Sequence, residues 1–312
     1  MVSVARNNFL ESLSAFDLAL DNPAVVAGDK TGEFFRRGLT VAAFNLLETF
    51  IENRLTELTA KINNSYLQFS DLPEKLQRRA ITNSLTVGNT RVRRLSRELP
   101  ELLDFANSLG SSISAVQGTL NISPFTWLWS ESNLRASALA SALKLLHVDK
   151  PWENLRELAA RLSFNVAPNA GSPIDLSTDF DSLLEERHQC AHVATHNVTT
   201  IWIRSVPERI LRCAITFDAF ASISANLLQT ANTQYLSDPS WVDASKISIR
   251  FIRERTHDFA EFKEHGVRAL RKGPDGQYLF DDARSRCAPN EMLVWQSNTN
   301  SILRWAIPIS DA

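Results

Sequence analysis

Along the first three quarters of the chain, apolar residues recur every three or four positions, which is the spacing of one face of an α-helix. This pattern predicts a long amphipathic helix over residues 31–60 and a shorter one over residues 4–20. Another helix is predicted to begin at Pro73, because Asp-Leu-Pro-Glu places a proline in the first helical turn. The predictions that follow are helices over residues 134–146 and 152–162 and a loop over residues 164–177.

The helical spacing returns over residues 180–203, which predicts one continuous helix there. Directly after it, Ser205-Val206-Pro207-Glu208 has the form of a capping box and predicts a new helix that extends to about residue 230. Beyond Pro239, short runs of β-branched and aromatic residues replace the helical spacing. These predicted strands cover residues 247–252, 266–270, 277–280, 292–295 and 302–307.

The change of pattern near residue 237 predicts two domains, a helical one over residues 1–236 and a small β-rich one over residues 237–312. The second is near the lower size limit for independent folding. We therefore expect it to pack on the helices or on a second chain.

Composition narrows the possible partners. The chain has 33 basic and 35 acidic residues and a net charge of -2, so a polyanion must be held by a local basic patch. The three cysteines form no CxxC pair, which excludes a disulfide scaffold and a four-cysteine zinc site and indicates a reducing compartment. No signal peptide or membrane-spanning stretch is apparent, so we expect a cytoplasmic protein without a membrane partner.

The segment around Arg187 holds the candidate chemistry. On the predicted helix, Arg187 fills the one non-apolar slot of an otherwise apolar stripe, and an unpaired buried charge is costly. It either pairs with a carboxylate, such as Glu185, Glu186, Glu48 or Glu52, or faces a cleft or subunit contact that requires a cation. The other members of the predicted stripe are Phe180, Leu184, Ala191, Ala194, Val198 and Ile201.

Two histidines accompany this arginine. His188 and His192 are one turn apart on the predicted helix, whereas His192 lies about 140° around the helix from Arg187. Only the long arginine side chain would bring both groups to one substrate. His188, His192 and His196 recur every four residues, which is also the spacing of histidine pairs that bind zinc from one helix. No cysteine or acidic residue stands at a usual ligand spacing, however.

The run from Arg187 to His192 matches the R-x4-H signature of HEPN domains, and Glu-Arg-His-x-x-x-His most resembles their RiboL-PSP form. The early helix supports the resemblance through Leu-Leu-Glu-Thr-Phe-Ile-Glu at residues 46–52, and the likeness extends over about residues 31–230. Many members have asparagine after the arginine, where this chain has His188. The resemblance implies a HEPN-like helical bundle and does not include the C-terminal strands. Together with those predicted strands, it gives a mostly α fold with a small C-terminal β-rich (α+β) appendage.

The same resemblance implies a metal-independent endoribonuclease that needs no cofactor and acts as a homodimer in which the two signatures meet. It also implies a bacterial toxin or anti-phage defence effector, with an antitoxin or defence-system protein as a possible partner. In our hypothesis, His192 is the general base or acid and Arg187 binds the scissile phosphate. His188 is a second proton-transfer or orienting group, and Glu186 holds one of these residues in position. The products would carry a 2′,3′-cyclic phosphate and a 5′-OH, and DNA would resist cleavage.

RNA binding is predicted on a basic block that contains no acidic residue. A second set of basic and aromatic residues in the C-terminal region comprises Arg250, Arg253, Arg255, Arg268, Arg271, Lys272, Trp295 and Trp305, where the tryptophans are possible stacking platforms. Both sets also have a simpler interpretation, a solvated helix face for the cations and a core position for the tryptophans. The basic block consists of Lys75, Arg78, Arg79, Arg91, Arg93, Arg94 and Arg97.

Two other functions stay open at this point. The first is a non-catalytic HEPN scaffold that binds RNA, nucleotide or a protein partner. The second is a zinc-dependent hydrolase built on His188 and His192.

Overall fold

The computed structural model describes residues 3–95, 99–114, 120–127, 129, 133–162 and 175–307. Within these ranges it describes the backbone only at residues 88, 90–95, 101, 104, 108 and 111–114. The loop predicted over residues 164–177 lies largely outside the described residues.

The described residues form a mostly α fold, as predicted. The predicted helices over residues 4–20, 31–60, 134–146 and 152–162 are confirmed, as is the start next to Pro73. The helices are α1 (Val4–Leu20), α2 (Pro23–Val26), α3 (Lys30–Asn63), α4 (Glu74–Leu95), α5 (Leu99–Ser114), α6 (Ala136–Leu145), α7 (Pro151–Arg161), α8 (Leu176–His192), α9 (Thr200–Gln229), α10 (Thr233–Ser237) and α11 (Gly276–Ser285). Short 3-10 helices occupy Phe69–Asp71, Pro124–Thr126 and Ala244–Lys246.

Helix α9 is the centre of the bundle. It packs along α3 and contacts α1, α7 and α8, and nearly all of its side chains beyond the second turn are buried. Its Thr200–Gln229 span is long and apolar enough to cross a membrane, but 94% of the apolar window is buried inside the fold, as in a core helix.

The continuous helix predicted over residues 180–203 is wrong. Helix α8 ends at His192, and α9 begins at Thr200 after Thr199, whose side chain accepts a hydrogen bond from the Trp202 N–H. The predicted capping box at Ser205 is also wrong, since Ser205 lies inside α9 and its hydroxyl donates to the Trp202 carbonyl. Pro207 is accommodated within the helix, where it is buried.

Five strands near the C-terminal end form a mixed sheet in the order β3-β2-β1-β4-β5. Strands β1 and β4 are parallel, and the other neighbouring pairs are antiparallel. The predictions over residues 247–252, 292–295 and 302–307 are confirmed. The strands are β1 (Ser248–Glu254), β2 (Phe259–Lys263), β3 (Arg271–Gly273), β4 (Glu291–Gln296) and β5 (Ile302–Ala306).

Two strand predictions are wrong, and one strand was missed. Residues 277–280 belong to helix α11, which Asp275 caps by accepting a hydrogen bond from the Tyr278 N–H. The strand predicted over residues 266–270 forms only at Arg271–Gly273. Strand β2 carries the fully buried Glu261 among its apolar residues, and this charge interrupts the apolar signal.

One face of the sheet shares an apolar core with the bundle helices, and a second, smaller core lies between the sheet and α11. Trp305 of β5 is 1% exposed and packs edge-on against Phe9 and Phe50, with ring centroids 6.2 Å away in both cases. Its indole N–H donates to Asp218 of α9 over 2.7 Å. The C-terminal residues therefore pack on the helices, and the boundary at residue 237 stays a prediction.

Candidate functional site

The buried face of α8 is formed by Leu176, Phe180, Leu183 and Cys190. Arg187 fills the open slot between Leu183 and Cys190, at the same alternating spacing of four and three residues. The arginine therefore does lie on the core-facing side of the helix. The predicted stripe is only partly confirmed. Val198 is buried, but Ala191 near the end of α8 is exposed, and beyond the helix Ala194 is exposed and Ile201 is 85% exposed.

Arg187 is half-buried, and its buried Nε atom has no hydrogen-bond partner. Its closest electrostatic partner is Glu48 of α3, whose carboxylate accepts hydrogen bonds from the Leu134 N–H over 2.6 Å and from the Trp129 side chain. Burial raises the pKa of Glu48, although these hydrogen bonds and the charge of Arg187 oppose the rise. Among the described residues, neither Glu48 nor Glu52 forms an ion pair with Arg187.

Other buried arginines of this fold form ion pairs or hydrogen bonds, although the Nε of Arg250, like that of Arg187, has no partner. Arg6 and Arg54 pair with Asp218 over 2.7 and 2.6 Å. Arg36 donates to three backbone carbonyls, and Arg250 pairs with Glu261 and Glu291. Arg187 differs from all of these, because within the described part of the chain its guanidinium has a nearby charge but no hydrogen bond.

His188 and His192 are both exposed, and their ring centroids lie 4.6 Å apart. They share one flank of α8, as predicted from their spacing. Within one chain, no contact joins Arg187 to either imidazole in the described structure. Within the described part of one chain, the arginine and His192 are therefore not in direct contact.

Glu186 contacts a different histidine from those predicted. The chain turns after His192 and brings His196 back over the last turn of α8, where its Nε2 lies 2.7 Å from the Glu186 carboxylate. Cys190 is buried beside this pair, and the ligand atoms of the three side chains all lie within 4.8 Å of one another. The fold therefore gives His196 a cysteine and an acid as neighbours, which the ligand spacing in the sequence did not indicate.

Two adjacent arginines of α3 hold the end of α8 and the following loop. Arg37 donates to the carbonyl groups of Cys190 and Ala194 over 3.0 and 2.7 Å. Arg36 donates to the Val198 carbonyl over 2.7 Å. These contacts satisfy backbone acceptors that a helix end leaves open. Neither residue was predicted from the sequence, where the signal is a pair of charges next to the apolar positions of an amphipathic helix.

The predicted RNA-binding block is only partly described. Lys75 and Arg78 are exposed on α4, and Arg78 pairs with Glu74 over 2.6 Å. Arg79 is half-buried. The predictions for Arg91, Arg93, Arg94 and Arg97 concern side chains outside the described residues.

In the C-terminal region, two of the proposed RNA contacts are wrong. Arg250 is held in ion pairs inside the sheet, and Trp305 is a core residue. Four other cations are exposed and line one concave surface next to the exposed apolar residues Val267 and Leu270. These cations are Arg255, Arg268, Arg271 and Lys272.

Comparison with protein families gives one match, to a model described as RiboL-PSP-HEPN, over residues 8–214. This span is more than half of the chain, runs from α1 into α9 and contains the whole segment from Glu186 to His196. Comparison with curated proteins and with solved structures gives no match.

Proposed function

The chain belongs to the RiboL-PSP-HEPN family, and on this basis we propose that it is a metal-independent endoribonuclease that acts at a composite site in a homodimer. Family membership supports an RNA-related nuclease role in general terms. The finer assignment of residues depends on the geometry of α8.

The observation that carries the proposal is the state of Arg187. A guanidinium is planar, always charged and able to donate two parallel hydrogen bonds to a phosphate. This one lies in a core-facing slot, half-exposed, and donates no hydrogen bond to a described residue. Such a group is suited to bind a scissile phosphate and to stabilise the charge that develops on its oxygens.

Proton transfer is assigned to the histidines. Histidine changes its charge near neutral pH, so His192 can take the proton from a ribose 2′-OH or supply one to the leaving oxygen. His188 lies beside His192 and is a second proton-transfer group or an orienting group. Because Arg187 and His192 do not touch within one chain, we propose that the arginine of one protomer and the histidine of its partner act on the same phosphodiester.

Exposed cations support a role in holding the RNA backbone. Lys75 and Arg78 are exposed on α4, where Arg78 also pairs with Glu74 and Arg79 is half-buried. A second set lines the concave surface of the sheet and consists of Arg255, Arg268, Arg271 and Lys272. Contacts of this kind give an affinity that falls steeply as the salt concentration rises.

The biological role rests on the family alone. We propose a toxin or an anti-phage defence effector, with an antitoxin or a defence-system protein as a partner. Toxicity on expression that Arg187→Ala and His192→Ala both relieve would support this role, and equal toxicity of these variants would contradict it.

The test of the nuclease proposal is incubation of the purified protein with total RNA in excess EDTA. We expect cleavage by the wild type to give 2′,3′-cyclic phosphate ends, and a loss of more than about a hundredfold in Arg187→Ala and His192→Ala. Arg304→Ala and His257→Ala are the matched controls, since Arg304 is also half-buried and His257 is also exposed, and both lie in the C-terminal region.

Several outcomes would reject the proposed site. Cleavage that survives both substitutions, or that EDTA abolishes, would exclude it. RNA binding without cleavage by the wild type would favour the non-catalytic scaffold. A zinc hydrolase on His188 and His192 has little support, because the described residues offer this pair no third ligand group.

A further inference from the structure

The last turn of α8 and the loop of residues 193–199 bring together three side chains that the proposed nuclease reaction does not use jointly. Glu186 and Cys190 are one turn apart on α8, and His196 folds back from the loop. Their ligand atoms, a carboxylate oxygen, a thiol sulfur and an imidazole nitrogen, lie within 4.8 Å of one another.

We propose that Glu186, Cys190 and His196 form a binding site for zinc, with water as the fourth ligand, and that the ion fastens the loop of residues 193–199 to α8. Sulfur, nitrogen and oxygen ligands together suit zinc better than magnesium or calcium, which prefer oxygen alone. The ion has a structural or regulatory role here, because the proposed RNA cleavage needs no metal.

The spacing is close to what zinc requires. Zinc bonds of about 2.0 to 2.3 Å in a tetrahedron place ligand atoms roughly 3 to 4 Å apart. The Glu186 and His196 atoms are slightly closer, at 2.7 Å, and no pair in the group exceeds 4.8 Å. Side-chain rotations that move these atoms by about an ångström would therefore seat the ion without moving the backbone.

Access to the site comes from one side. The side chains of Glu186 and His196 are 23% and 24% exposed, whereas Cys190 is 4% exposed and forms the floor of the site. Zinc can therefore enter from solvent, and a water ligand can complete its coordination on the open side.

The charges balance once the ion is bound. The Glu186 carboxylate and the Cys190 thiolate together neutralise Zn²⁺, and His196 coordinates as the neutral imidazole. Binding breaks the S–H bond and releases that proton to solvent. The Nε2 proton of His196 that forms the hydrogen bond to Glu186 is replaced, through solvent, by a proton on Nδ1, so Nε2 and the carboxylate oxygen can each bond to the metal.

A bound ion would restrain the loop of residues 193–199, which directly follows His192, the last residue of α8. Without the ion, one hydrogen bond joins His196 to α8. With it, both Glu186 and Cys190 hold His196, so exchange of backbone amides in residues 193–199 should slow when zinc is added.

The experiment uses the full chain, freed of metal with a chelator and then given Zn²⁺ or Co²⁺ without RNA. We expect one zinc ion per chain by elemental analysis after gel filtration. Cobalt should give the near-ultraviolet charge-transfer absorption of a thiolate ligand. Cys190→Ser, His196→Ala and Glu186→Gln should each weaken binding by more than about tenfold, with loss of the cobalt–thiolate band in Cys190→Ser.

Three control variants separate this site from metal binding elsewhere on the chain. Cys287→Ser and His257→Ala remove ligand types at distant positions, and the double variant His188→Ala/His192→Ala removes the histidine pair with helical spacing. All three should retain one ion. Circular dichroism of each variant checks the fold, and the partly exposed positions of Glu186 and His196 make their substitutions compatible with folding.

The proposal is overturned if the wild type retains less than a stoichiometric amount of zinc, if all three site variants bind it as the wild type does, or if only the His188/His192 variant loses it. Zinc binding is measured without RNA, and RNA cleavage is measured for the wild type in EDTA and for Cys190→Ser without EDTA. Loss of cleavage in both cases is assigned to this ion, whereas loss in EDTA alone is assigned to a metal that the reaction itself requires. A failure of this site and a failure of the proposed nuclease activity are therefore distinguishable.

Discussion

Asp218 is a fully buried acid in the middle of α9. It pairs with Arg6 and Arg54 and accepts hydrogen bonds from Ser222 and Trp305. Burial alone would raise the pKa of this carboxyl group, but the two guanidinium groups hold it well below its usual range. Two cations thus depend on one acid in a setting where unpaired charges are costly.

Replacing this acid should destabilise the protein strongly. We expect Asp218→Asn to lower the free energy of unfolding by about 3 to 5 kcal/mol at neutral pH, because both arginines lose a fully buried counter-charge, although Arg54 keeps its ion pair with the partly exposed Glu57. Urea unfolding measures the change, with the exposed acid Asp181→Asn as a control that should change little. If Asp218→Asn loses no more unfolding free energy than Asp181→Asn, the ion pairs of Asp218 do not stabilise the fold.

The same acid makes a prediction about pH. The pKa of Asp218 is lower in the folded than in the unfolded chain, so its stabilising effect is complete above about pH 4 and decreases as the pH falls further. The difference in unfolding free energy between wild type and Asp218→Asn should therefore narrow as the pH is lowered from about 6 to about 3. Other acids are common to both proteins and cancel in this difference, so a constant difference would contradict the lowered pKa.

Candidate residues could be predicted from the sequence where they interrupt a regular local pattern. Arg187 stands out because a charge interrupts an apolar helical stripe. The partner of Glu186 was not predictable, because His196 reaches it only through a turn that the periodicity hides. The network of Arg6, Arg54 and Asp218 joins positions far apart in the chain, and local spacing carries no signal for it.

At the scale of elements, the break between α8 and α9 decides the geometry of the site. The apolar spacing continues through residues 193–199, so periodicity predicts one helix where the structure has two. Arg36 and Arg37 of α3 bind the carbonyls of this segment. The helix end thus depends on tertiary contacts, whereas the long α3 follows from its own sequence.

Removing Arg37 tests this support. We expect Arg37→Ala to lower the free energy of unfolding by about 1 to 3 kcal/mol, because the carbonyl groups of Cys190 and Ala194 lose their hydrogen-bond donor. Amide exchange in residues 189–198 should rise, and RNA cleavage should fall because His192 is held less firmly. The free energy of unfolding of Arg37→Lys should lie between those of the wild type and Arg37→Ala, since a lysine keeps the charge but lacks the fork of donors. Unchanged exchange in this segment would show that Arg37 does not hold the loop.

At the scale of the whole molecule, Trp305 joins the sheet to the helices. We expect Trp305→Ala to destabilise the protein by about 3 to 5 kcal/mol, with faster amide exchange in α1, α3 and α9 as well as in the strands. Trp305→Phe keeps an aromatic ring but loses the N–H that donates to Asp218, and it should lower the free energy of unfolding by less than Trp305→Ala does. If faster exchange is confined to residues 248–306, those residues form a separate domain, as the change in sequence pattern suggests.

The proposed reaction requires a dimer, since Arg187 and His192 are not in contact within one chain. If each site takes its arginine from one protomer and its histidine from the other, a dimer of Arg187→Ala with His192→Ala contains one intact site and one doubly altered site. Random mixing makes half of the dimers mixed, so RNA cleavage should recover to about a quarter of the wild-type rate. Each variant alone should be inactive. Co-expression with different affinity tags and measurement of the mixture decides the matter, because sites built within single chains would give no recovery at all.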